Sequence, residues 1–511
     1  MKKLALHCSF ILPLLFVATI AIRGQQKAYG EKYRPQFHFT PAVNWTNDPN
    51  GLVFYKGRYH LFYQYNPYGI KWGHMSWGHA ESTDLIHWNH LPIAIAEKDG
   101  TMIFSGSAVI DENNTTGFAK NTSEIPMIAI YTGHYIADTS RLDDYLQSQQ
   151  IAYSLDNGRN WTKYSNNPVL DLHKKDFRDP CVFWYAPGKK WVMAVVLPRE
   201  HIVQFYSSPD LKKWNHLSDF GPAGDIKDIW ECPSLAQVPV AGSGEKKKWV
   251  LFNSQQTTMQ YFVGEFNGTS FVDENPSSKI YRPDFGPDYY AGITYNHIPE
   301  NQLPVLVGWA NNWTYAADIP TKPWRSMMAL PRELVLHKKN QEWILYQRPV
   351  PAVYGLRKRP WSAGHFEVQD KKDLPVRSQQ CEIEVTLQPG AQSISGLRLA
   401  HGNQKGLEIG YDQKNKILFM DRGDAGSQSF NQKYAHMSRY ETKLESGQGK
   451  ILLHIFFDHS IVEVFANDGE KVMSMQIFPD EQDNMIQLFS ENGPASFHNV
   501  KIWELNSAWT K

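Results

Sequence analysis

The chain has 511 residues, too many for one compact core, and is therefore expected to hold several domains or one large repeat fold with an added module. Its 52 acidic and 52 basic residues cancel, which argues against a nucleic-acid-binding protein and against electrostatic attachment to a membrane surface. Aromatic residues make up 13% of the chain, a proportion that suits binding clefts as well as core packing.

Residues 1–25 have the pattern of a secretory signal peptide. Lys2 and Lys3 precede an apolar run, and small residues precede the polar segment that follows it. An uncleaved membrane anchor is the alternative, because the run is nearly long enough to cross a bilayer. No second apolar stretch of that length occurs in the sequence. We therefore predict export, to the periplasm, the cell surface or the medium, and a mature chain without an integral membrane span.

The first strongly patterned segment is NWTNDPNG, residues 44–51. Asp-Pro and Asn-Gly are both turn signals, so the segment predicts a tight polar turn ahead of the aromatic strand that follows. We expect this turn to direct the Asp48 carboxylate towards a substrate.

Residues 35–340 consist of short β-strand patterns separated by turn signals, without long helical periodicity. A unit in which Ser is followed by Asp and then by Trp recurs with Asp84, Asp156 and Asp210. Each Asp is predicted to stabilise a turn rather than to take part in chemistry. Strand repeats of roughly 60 residues are typical of propeller blades, and this length accommodates five of them.

The segment LYQRPVPAVYG, residues 345–355, is predicted to end the propeller. Residues 355–510 again alternate apolar and polar residues between Gly, Asn and Asp turns, as in a β-sandwich, with a hairpin at Asn467-Asp468-Gly469. The predicted fold is therefore all-β: a five-bladed β-propeller followed by a C-terminal β-sandwich.

Three cysteines remain after the predicted signal peptide, namely Cys181, Cys232 and Cys381. Their spacing fits neither a disulfide framework nor a metal site, so they are predicted to be small buried residues. The sequence predicts no metal and no cofactor.

Three carboxylates of the predicted propeller have unusual neighbours. Asp48 lies in NDPNG, Asp179 in DFRDP and Glu231 in WECP. The inner strands of different blades converge on the central channel, so these side chains can meet in one pocket. Each alone is more often a turn or salt-bridge residue, and the hypothesis of a catalytic site rests on their combination.

Two carboxylates in one pocket are the apparatus of a retaining glycosidase, in which one attacks the anomeric carbon and the other donates a proton. The apolar neighbours of Glu231 suit the acid/base. Asp48, among asparagines and turn donors, is expected to stay ionised and to suit the nucleophile. Asp179 beside Arg178 is also expected to stay ionised and to bind sugar hydroxyls.

Ten segments follow one another in a specific order along nearly the whole chain. They are WTNDPNG (45–51), FYQYNP (62–67), WGHMSWGHA (72–80), FSGS (104–107), FRDP (177–180), WECP (230–233), DFGPDYYA (284–291), GWANNW (308–313), WRSMMALPREL (324–334) and SIVEVFANDGEKV (460–472). This ordered set resembles glycoside hydrolase family 32, the family of invertases, inulinases and levanases.

The resemblance implies a five-bladed propeller with a β-sandwich. It also implies release of terminal non-reducing β-D-fructofuranosyl residues from fructans (levan or inulin) or sucrose, with retention. Carried over by motif, Asp48 is the nucleophile, Asp179 stabilises the transition state and Glu231 is the acid/base. The substrate-binding residues of the implied pocket are Asn47, Gln64, Trp72, Phe104, Ser105, Arg178 and Trp313.

Two other hypotheses remain open at this point. One is an inverting arabinan- or xylan-cleaving hydrolase, which also uses three carboxylates in a five-bladed propeller. The other is a fructan-binding protein without catalysis, although a binder has no need of a proton donor. The sequence leaves open the preference among sucrose, inulin and levan, exo or endo action, transfer to sugar acceptors, and the oligomeric state.

Overall fold

A computed structural model describes residues 29–136 and 144–509. The predicted signal peptide, residues 1–25, lies outside the described residues. The regular structure is almost entirely β-sheet: five sheets of four or five strands are followed by two sheets of six strands. The prediction of an all-β protein with a five-bladed propeller and a β-sandwich is confirmed.

The first three sheets are blades one to three of the propeller. Blade one contains β1 (Asn44–Tyr55), β2 (Arg58–Asn66), β3 (Ser76–Ser82) and β4 (Trp88–Ile95). Blade two contains β5 (Thr101–Ile110), β6 (Met127–Ile136), β7 (Tyr145–Ser154), β8 (Thr162–Lys163) and β9 (Leu170–Lys174). Blade three contains β10 (Arg178–Tyr185), a 3₁₀ turn (Ala186–Gly188), β11 (Lys190–Leu197), β12 (Ile202–Ser208) and β13 (Asn215–Phe220).

Blades four and five complete the ring. Blade four contains β14 (Trp230–Pro239), β15 (Lys247–Gln255), β16 (Thr258–Phe266) and β17 (Phe271–Asp273). The chain continues with β18 (Tyr290–Thr294), β19 (Val305–Trp309), β20 (Trp324–Arg325), β21 (Arg332–Lys339) and β22 (Glu342–Pro349). Blade five consists of β18, β19, β21 and β22, and it extends beyond the predicted propeller limit at residue 340. The first strand of each blade contacts the first strand of the next, so β1, β5, β10, β14 and β18 surround the central channel.

The ring is closed by a strand that arrives late in the chain. β20 pairs in parallel with the start of β1, where Asn44 lies opposite Trp324 and Trp45 opposite Arg325. The Asn44 N–H also donates to the Pro323 carbonyl over 2.8 Å. The first blade is therefore completed by a strand from the end of the propeller.

The middle strands of the blades are buried on both faces, which explains their continuous apolar sequence. In β11, Met193 and Val195 pack into one hydrophobic core, and the alternating Ala194 and Val196 pack into another. Because successive side chains of a strand point to opposite faces, one strand supplies the packing on both sides of its blade.

The repeated Asp residues form turns, as predicted, and each turn joins two neighbouring outer strands of the same blade, in blades one, two and three. Asp84 Oδ1 accepts a hydrogen bond from the backbone N–H of His87 over 2.8 Å. The indole N–H of Trp88 donates to a backbone carbonyl of the same turn. Asp156 and Asp210 accept backbone N–H groups in the equivalent turns. Their structural role is confirmed, and none of the three lines the pocket described below.

The sandwich follows a 3₁₀ segment (Pro351–Leu356). Its elements are β23 (Arg357–Val368), β24 (Lys371–Arg377), β25 (Gln380–Pro389), β26 (Ile394–His401), β27 (Gly406–Asp412), β28 (Ile417–Asp424), α1 (Gln432–His436), β29 (Arg439–Lys443), β30 (Ile451–Asp458), β31 (Ile461–Ala466), β32 (Lys471–Gln476), β33 (Met485–Glu491) and β34 (Ala495–Leu505). The sheet orders are β23-β34-β25-β30-β31-β32 and β24-β33-β26-β27-β28-β29. β31 and β32 form the predicted hairpin. Residues of both sheets, including Ile455 and Leu488, share one buried core.

Buried charges join the propeller to the sandwich. His38 binds Asp458 through Nδ1 (2.8 Å) and Glu463 through Nε2 (3.1 Å), and all three side chains are fully buried. Glu463 also pairs with Arg332 of β21 over 2.8 Å, and Arg332 pairs with Asp284 over 2.9 Å. Burial alone lowers the pKa of His38, but the bonds to the two carboxylates outweigh it and raise the pKa to about 9.

Within residues 29–136 and 144–509, no helix has the length and apolar character needed to cross a bilayer.

Candidate active site

A cavity of about 420 Å³ opens into one end of the propeller channel. Its walls include all ten residues that the sequence singled out: Asn47, Asp48, Gln64, Trp72, Phe104, Ser105, Arg178, Asp179, Glu231 and Trp313. These residues come from blades one to four and from the segment between β19 and β20. Widely separated motifs therefore meet at a single site.

Every inner strand of the ring is irregular at the level of this cavity. The strand registers shift between Thr46 and Pro49, Ile103 and Gly106, Arg178 and Cys181, Glu231 and Ser234, and Tyr290 and Ile293. A bulge leaves a residue outside the ladder and re-aims its side chain. In blades one and three the bulges hold Asp48 and Asp179, whose side chains face the cavity, where a regular strand would alternate its side chains between two blade faces.

NDPNG is part of this pattern and is not a turn. The whole segment lies within β1, so the predicted turn before a strand is wrong. Pro49 lacks an N–H, and Gly51 has φ +53°, in a position where an added Cβ would lie 2.7 Å from Phe62. A bulge and a tight turn need the same residue types, which is why the sequence signal was ambiguous. The Asp48 side chain nevertheless faces the cavity, as expected.

Asp48 lies at the bottom of the cavity and is held by three side chains. Ser105 Oγ donates to its Oδ2 (2.7 Å), Asn47 Nδ2 donates to its Oδ1 (3.0 Å), and Cys232 Sγ lies 3.6 Å from Oδ2. Burial raises the pKa of Asp48, the donors Ser105 and Asn47 oppose that rise, and the charge of Glu231 adds to it. The net direction is upward, so burial outweighs the polar neighbours that were expected to favour the ionised form.

Asp179 is buried beside Asp48 in a left-handed backbone conformation, with φ +64°. Its backbone N–H donates to Thr132 Oγ1 (2.9 Å), and its Oδ2 accepts the Cys232 N–H (2.9 Å). Burial raises its pKa to about 7, with a contribution from the charge of Glu231, although Arg178 Nε, 3.9 Å away, opposes the rise. The prediction that Arg178 keeps Asp179 ionised is wrong, because burial outweighs this long ion pair.

Glu231 occupies a more polar and more open position than its sequence neighbours suggested. Arg178 donates to its Oε1 from Nη2 (3.0 Å) and Nε (3.2 Å), and the Tyr290 hydroxyl donates to Oε2. Trp230 points away and packs among buried residues of blades three and four. The Glu231 side chain is 21% exposed, whereas Asp48 is 9% exposed. The predicted apolar setting is therefore wrong.

Arg178 is held by a second set of side chains that the sequence analysis did not select. Its Nη1 donates to Asp176 (2.8 Å) and Gln147 (3.2 Å). Asp176 in turn accepts bonds from Tyr145 (3.0 Å) and Arg199 (2.6 Å). Asp176 belongs to the DFRDP motif and could have been found there, while Gln147, Tyr145 and Arg199 carry no local sequence signal.

Aromatic side chains form much of the remaining wall. Trp72 is 46% exposed and meets Phe104 edge to face at 6.0 Å between ring centroids. The Trp313 ring stacks on the Trp45 ring, with 6.0 Å between the ring centroids. Flat rings beside fixed polar groups are the arrangement that binds a sugar, whose faces are apolar and whose rim carries hydroxyls.

The three described cysteines are free thiols. Cys381 is buried in the sandwich core, as predicted, whereas Cys181 is only partly buried. Cys232 is buried, but its Sγ contacts both Asp48 (3.6 Å) and Asp179 (3.7 Å), so it belongs to the site and not only to the core.

Comparison with known proteins agrees with this arrangement. The family model described as "Glycosyl hydrolases family 32 N-terminal domain" matches residues 38–349, and the model "Glycosyl hydrolases family 32 C terminal" matches residues 352–504. The chain belongs to glycoside hydrolase family 32. It is thus a glycoside hydrolase, and its resemblance to the family in sequence is confirmed.

Individual members of the family are similar over most of their length. The levanase of Bacillus subtilis is 41% identical over 529 residues, which cover all of this chain and 76% of that protein. The crystal structure of the exo-inulinase from Aspergillus awamori has a TM-score of 0.88 at 36% identity and covers 94% of this chain and 100% of that one. The fructofuranosidase from Schwanniomyces occidentalis, complexed with fructose, has a TM-score of 0.83 at 32% identity and covers 94% of this chain and 99% of that one.

Proposed function

We propose that this family 32 enzyme hydrolyses terminal non-reducing β-D-fructofuranosyl residues of fructans or sucrose, with retention of configuration. Relatives named levanase, exo-inulinase and invertase support this class of substrate. The proposal rests on the different depths at which the three carboxylates lie in the cavity. Asp48 and Asp179 are 9% and 6% exposed at the bottom of the cavity, and the Glu231 side chain is 21% exposed nearer its opening.

Asp48 is the proposed nucleophile. Ser105 and Asn47 each fix one of its oxygens, which leaves the carboxylate in a defined orientation for attack on the anomeric carbon. Burial raises its pKa, so the negative charge is poorly solvated. Formation of an ester with the anomeric carbon removes this charge, and the surroundings therefore favour the covalent intermediate.

Glu231 is the proposed acid/base. The leaving group and the incoming water both use the open side of the cavity, where this carboxyl lies. Arg178 and Tyr290 orient it from two directions. In the first step Glu231 gives a proton to the glycosidic oxygen as the bond to the fructosyl carbon breaks. In the second step it takes a proton from water, which attacks the same carbon, releases fructose and regenerates the Asp48 carboxylate.

Asp179 is proposed to stabilise the transition state. It lies beside Asp48, and Cys232 N–H fixes the direction of its carboxyl. In its ionised form it accepts hydrogen bonds from fructosyl hydroxyls, which strengthen as positive charge develops on the ring. Arg178 forms ion pairs with both Asp179 (3.9 Å) and Glu231 (3.0 Å). Its positive charge therefore acts on the proposed transition-state stabiliser and on the proposed acid/base together.

Chromatography of the products from sucrose, inulin and levan, with arabinan as a control, tests this proposal. We expect free fructose as the first and dominant product. Early oligosaccharides would indicate endo action, and arabinose without fructose would contradict the substrate class. NMR of the first turnover distinguishes β-fructofuranose, which retention requires, from the α-anomer of an inverting enzyme.

Variants of the two reacting carboxylates test their roles. Asp48→Asn and Glu231→Gln should each lower kcat about 10³-fold or more, because each removes a group that takes part in bond formation or proton transfer. With Glu231→Ala and a fructoside whose leaving group needs no protonation, azide should restore turnover and yield a β-fructosyl azide, because azide attacks the covalent intermediate without a general base. Glu112→Gln is the matched control, because Glu112 is an exposed carboxylate paired with His297 and lies outside the cavity.

A further inference from the structure

The segment between β2 and β3, residues 67–75, leads from the cavity to an exposed aromatic ring. Trp72 lines the cavity and is 46% exposed. Tyr68, four residues earlier, is 77% exposed and does not line it. Among the large hydrophobic side chains of the described chain, this is the greatest exposure.

The position of Tyr68 is fixed by hydrogen bonds of the segment. Asn66 accepts the Tyr68 N–H (2.9 Å) and donates to the Lys71 carbonyl (2.7 Å). The Trp45 N–H donates to the Gly69 carbonyl over 3.0 Å. Because Trp45 and Asn66 belong to the strands that carry the site, the ring is held at a constant place relative to the cavity. Its exposure is therefore built into the fold.

The Tyr68 ring contacts a neighbouring ring along one edge, and the rest of its surface is exposed. The Tyr68 and His74 rings meet edge to face, 5.3 Å between centroids, and His74 Nδ1 binds Glu97 over 2.8 Å. The contact orients the phenol ring without covering it. Tyr68 and Trp72 thus present two separate flat surfaces on one anchored segment, the first outside the cavity and the second on its wall.

We propose that Tyr68 is a binding platform for the sugar units of a fructan that lie beyond the scissile bond. The inference rests on the proposed function, and it names oligomeric and polymeric fructans as the preferred substrates over sucrose. The buried carboxylates take the terminal fructosyl unit, so the remaining chain leaves through the open side of the cavity, whose wall includes the half-exposed Trp72. Tyr68 is an exposed flat ring on the same anchored segment, four residues from Trp72, and it can stack against the C–H face of a furanose ring.

A second exposed apolar residue offers an alternative path for the chain. Ile226 is 49% exposed and precedes the cavity residue Ile229 by three positions. A branched aliphatic side chain lacks the flat face and the hydroxyl of Tyr68. The geometry therefore favours Tyr68, and Ile226 is the matched control.

Steady-state kinetics of Tyr68→Ala on sucrose, inulin and levan test the proposal. The platform contacts the chain equally before and during reaction, so its loss should raise KM with kcat unchanged. We expect kcat/KM on the fructans to fall about 5- to 30-fold, the range for loss of one stacked ring, and kcat/KM on sucrose to stay within about twofold. Tyr68→Trp should retain the wild-type preference for fructans over sucrose. Ile226→Ala should leave kcat/KM unchanged on sucrose and on the fructans.

Several results would overturn the inference. One is that Tyr68→Ala lowers kcat/KM equally on sucrose and on fructans, and another is that it lowers kcat/KM on neither. A third is that Ile226→Ala, and not Tyr68→Ala, lowers kcat/KM on fructans alone. In each case the wild-type enzyme would still release fructose, and the proposed function would stand. A wild-type enzyme inactive on all three substrates would overturn the proposed function and this inference with it.

Discussion

The backbone N–H of Cys232 donates a 2.9 Å hydrogen bond to Asp179 Oδ2, so blade four fixes the carboxyl group of blade three. The thiol of the same residue lies 3.6 Å from Asp48 of blade one. Cys232 has φ +49° at the bulge of β14, and a regular strand could not offer its N–H and its side chain to the channel in this way. The site is therefore a property of the closed ring and not of any single blade.

Removal of the Ser105 hydroxyl should impair catalysis more than stability. Ser105 Oγ donates to Asp48 Oδ2 over 2.7 Å, and Ser105→Ala removes a charge-assisted bond to the proposed nucleophile. We expect kcat to fall about 10- to 100-fold, corresponding to about 1.5–3 kcal/mol. Ser107→Ala is the control, because Ser107 donates to the Pro180 carbonyl over 2.9 Å. A kcat for the control as low as that of Ser105→Ala would contradict the specific role of Ser105.

Asp179→Asn should stabilise the protein at neutral pH while it abolishes activity. Burial raises the pKa of Asp179 to about 7, above its value in the unfolded chain, so ionisation of the folded protein costs stability. That cost is absent below about pH 4 and complete above about pH 7. The variant should gain about 1–3 kcal/mol in unfolding free energy at pH 8 and nothing at pH 4, as measured by urea denaturation. An equal change at both pH values would contradict the raised pKa.

The buried charges between propeller and sandwich should make the protein sensitive to alkali. Asp458 and Glu463 raise the pKa of His38 to about 9, above its ordinary value of about 6.5 in the unfolded chain. The stabilisation is fully present below pH 6.5 and is lost as the pH rises through 9. We expect unfolding free energy to fall by about 2–3 kcal/mol over this window.

His38→Gln provides the comparison for that loss. Glutamine cannot take up the proton, so the variant should be less stable than the wild type at pH 6 and should approach it at pH 9.5. Denaturation curves of both proteins at the two pH values give the difference directly. A difference that stays constant with pH would mean that His38 is neutral in the folded state.

Much of the architecture follows from sequence patterns of short range. The Asp84 turn and the 467–469 hairpin each depend on residues close together in the chain, and each is predicted from the sequence. The cavity residues were found through motif resemblance. Asp176 lies within one of those motifs, two residues before Arg178, and was not selected, because its role depends on contacts with Arg178, Tyr145 and Arg199 that only the fold creates.

Long-range contacts account for the errors. The charge state of Asp179 depends on burial produced by neighbouring blades, and the surroundings of Glu231 depend on Tyr290 in blade five. Sequence neighbours such as Trp230 point to the opposite side of the strand and say little about the environment of the carboxyl. The turn signals of NDPNG were correctly seen, but only pairing with β2 makes the segment a bulged strand.

Parallel pairing of β20 with β1 also has a consequence for biosynthesis. The strand that carries Asp48 is among the first to be made, and its partner around Trp324 is among the last of the propeller. A chain emerging from the ribosome must therefore keep its first blade unfinished while blades two to four and the first two strands of blade five are synthesised. Chains that terminate before β20 lack the strand that locks the ring, so we expect catalytic competence to appear in one late event rather than blade by blade.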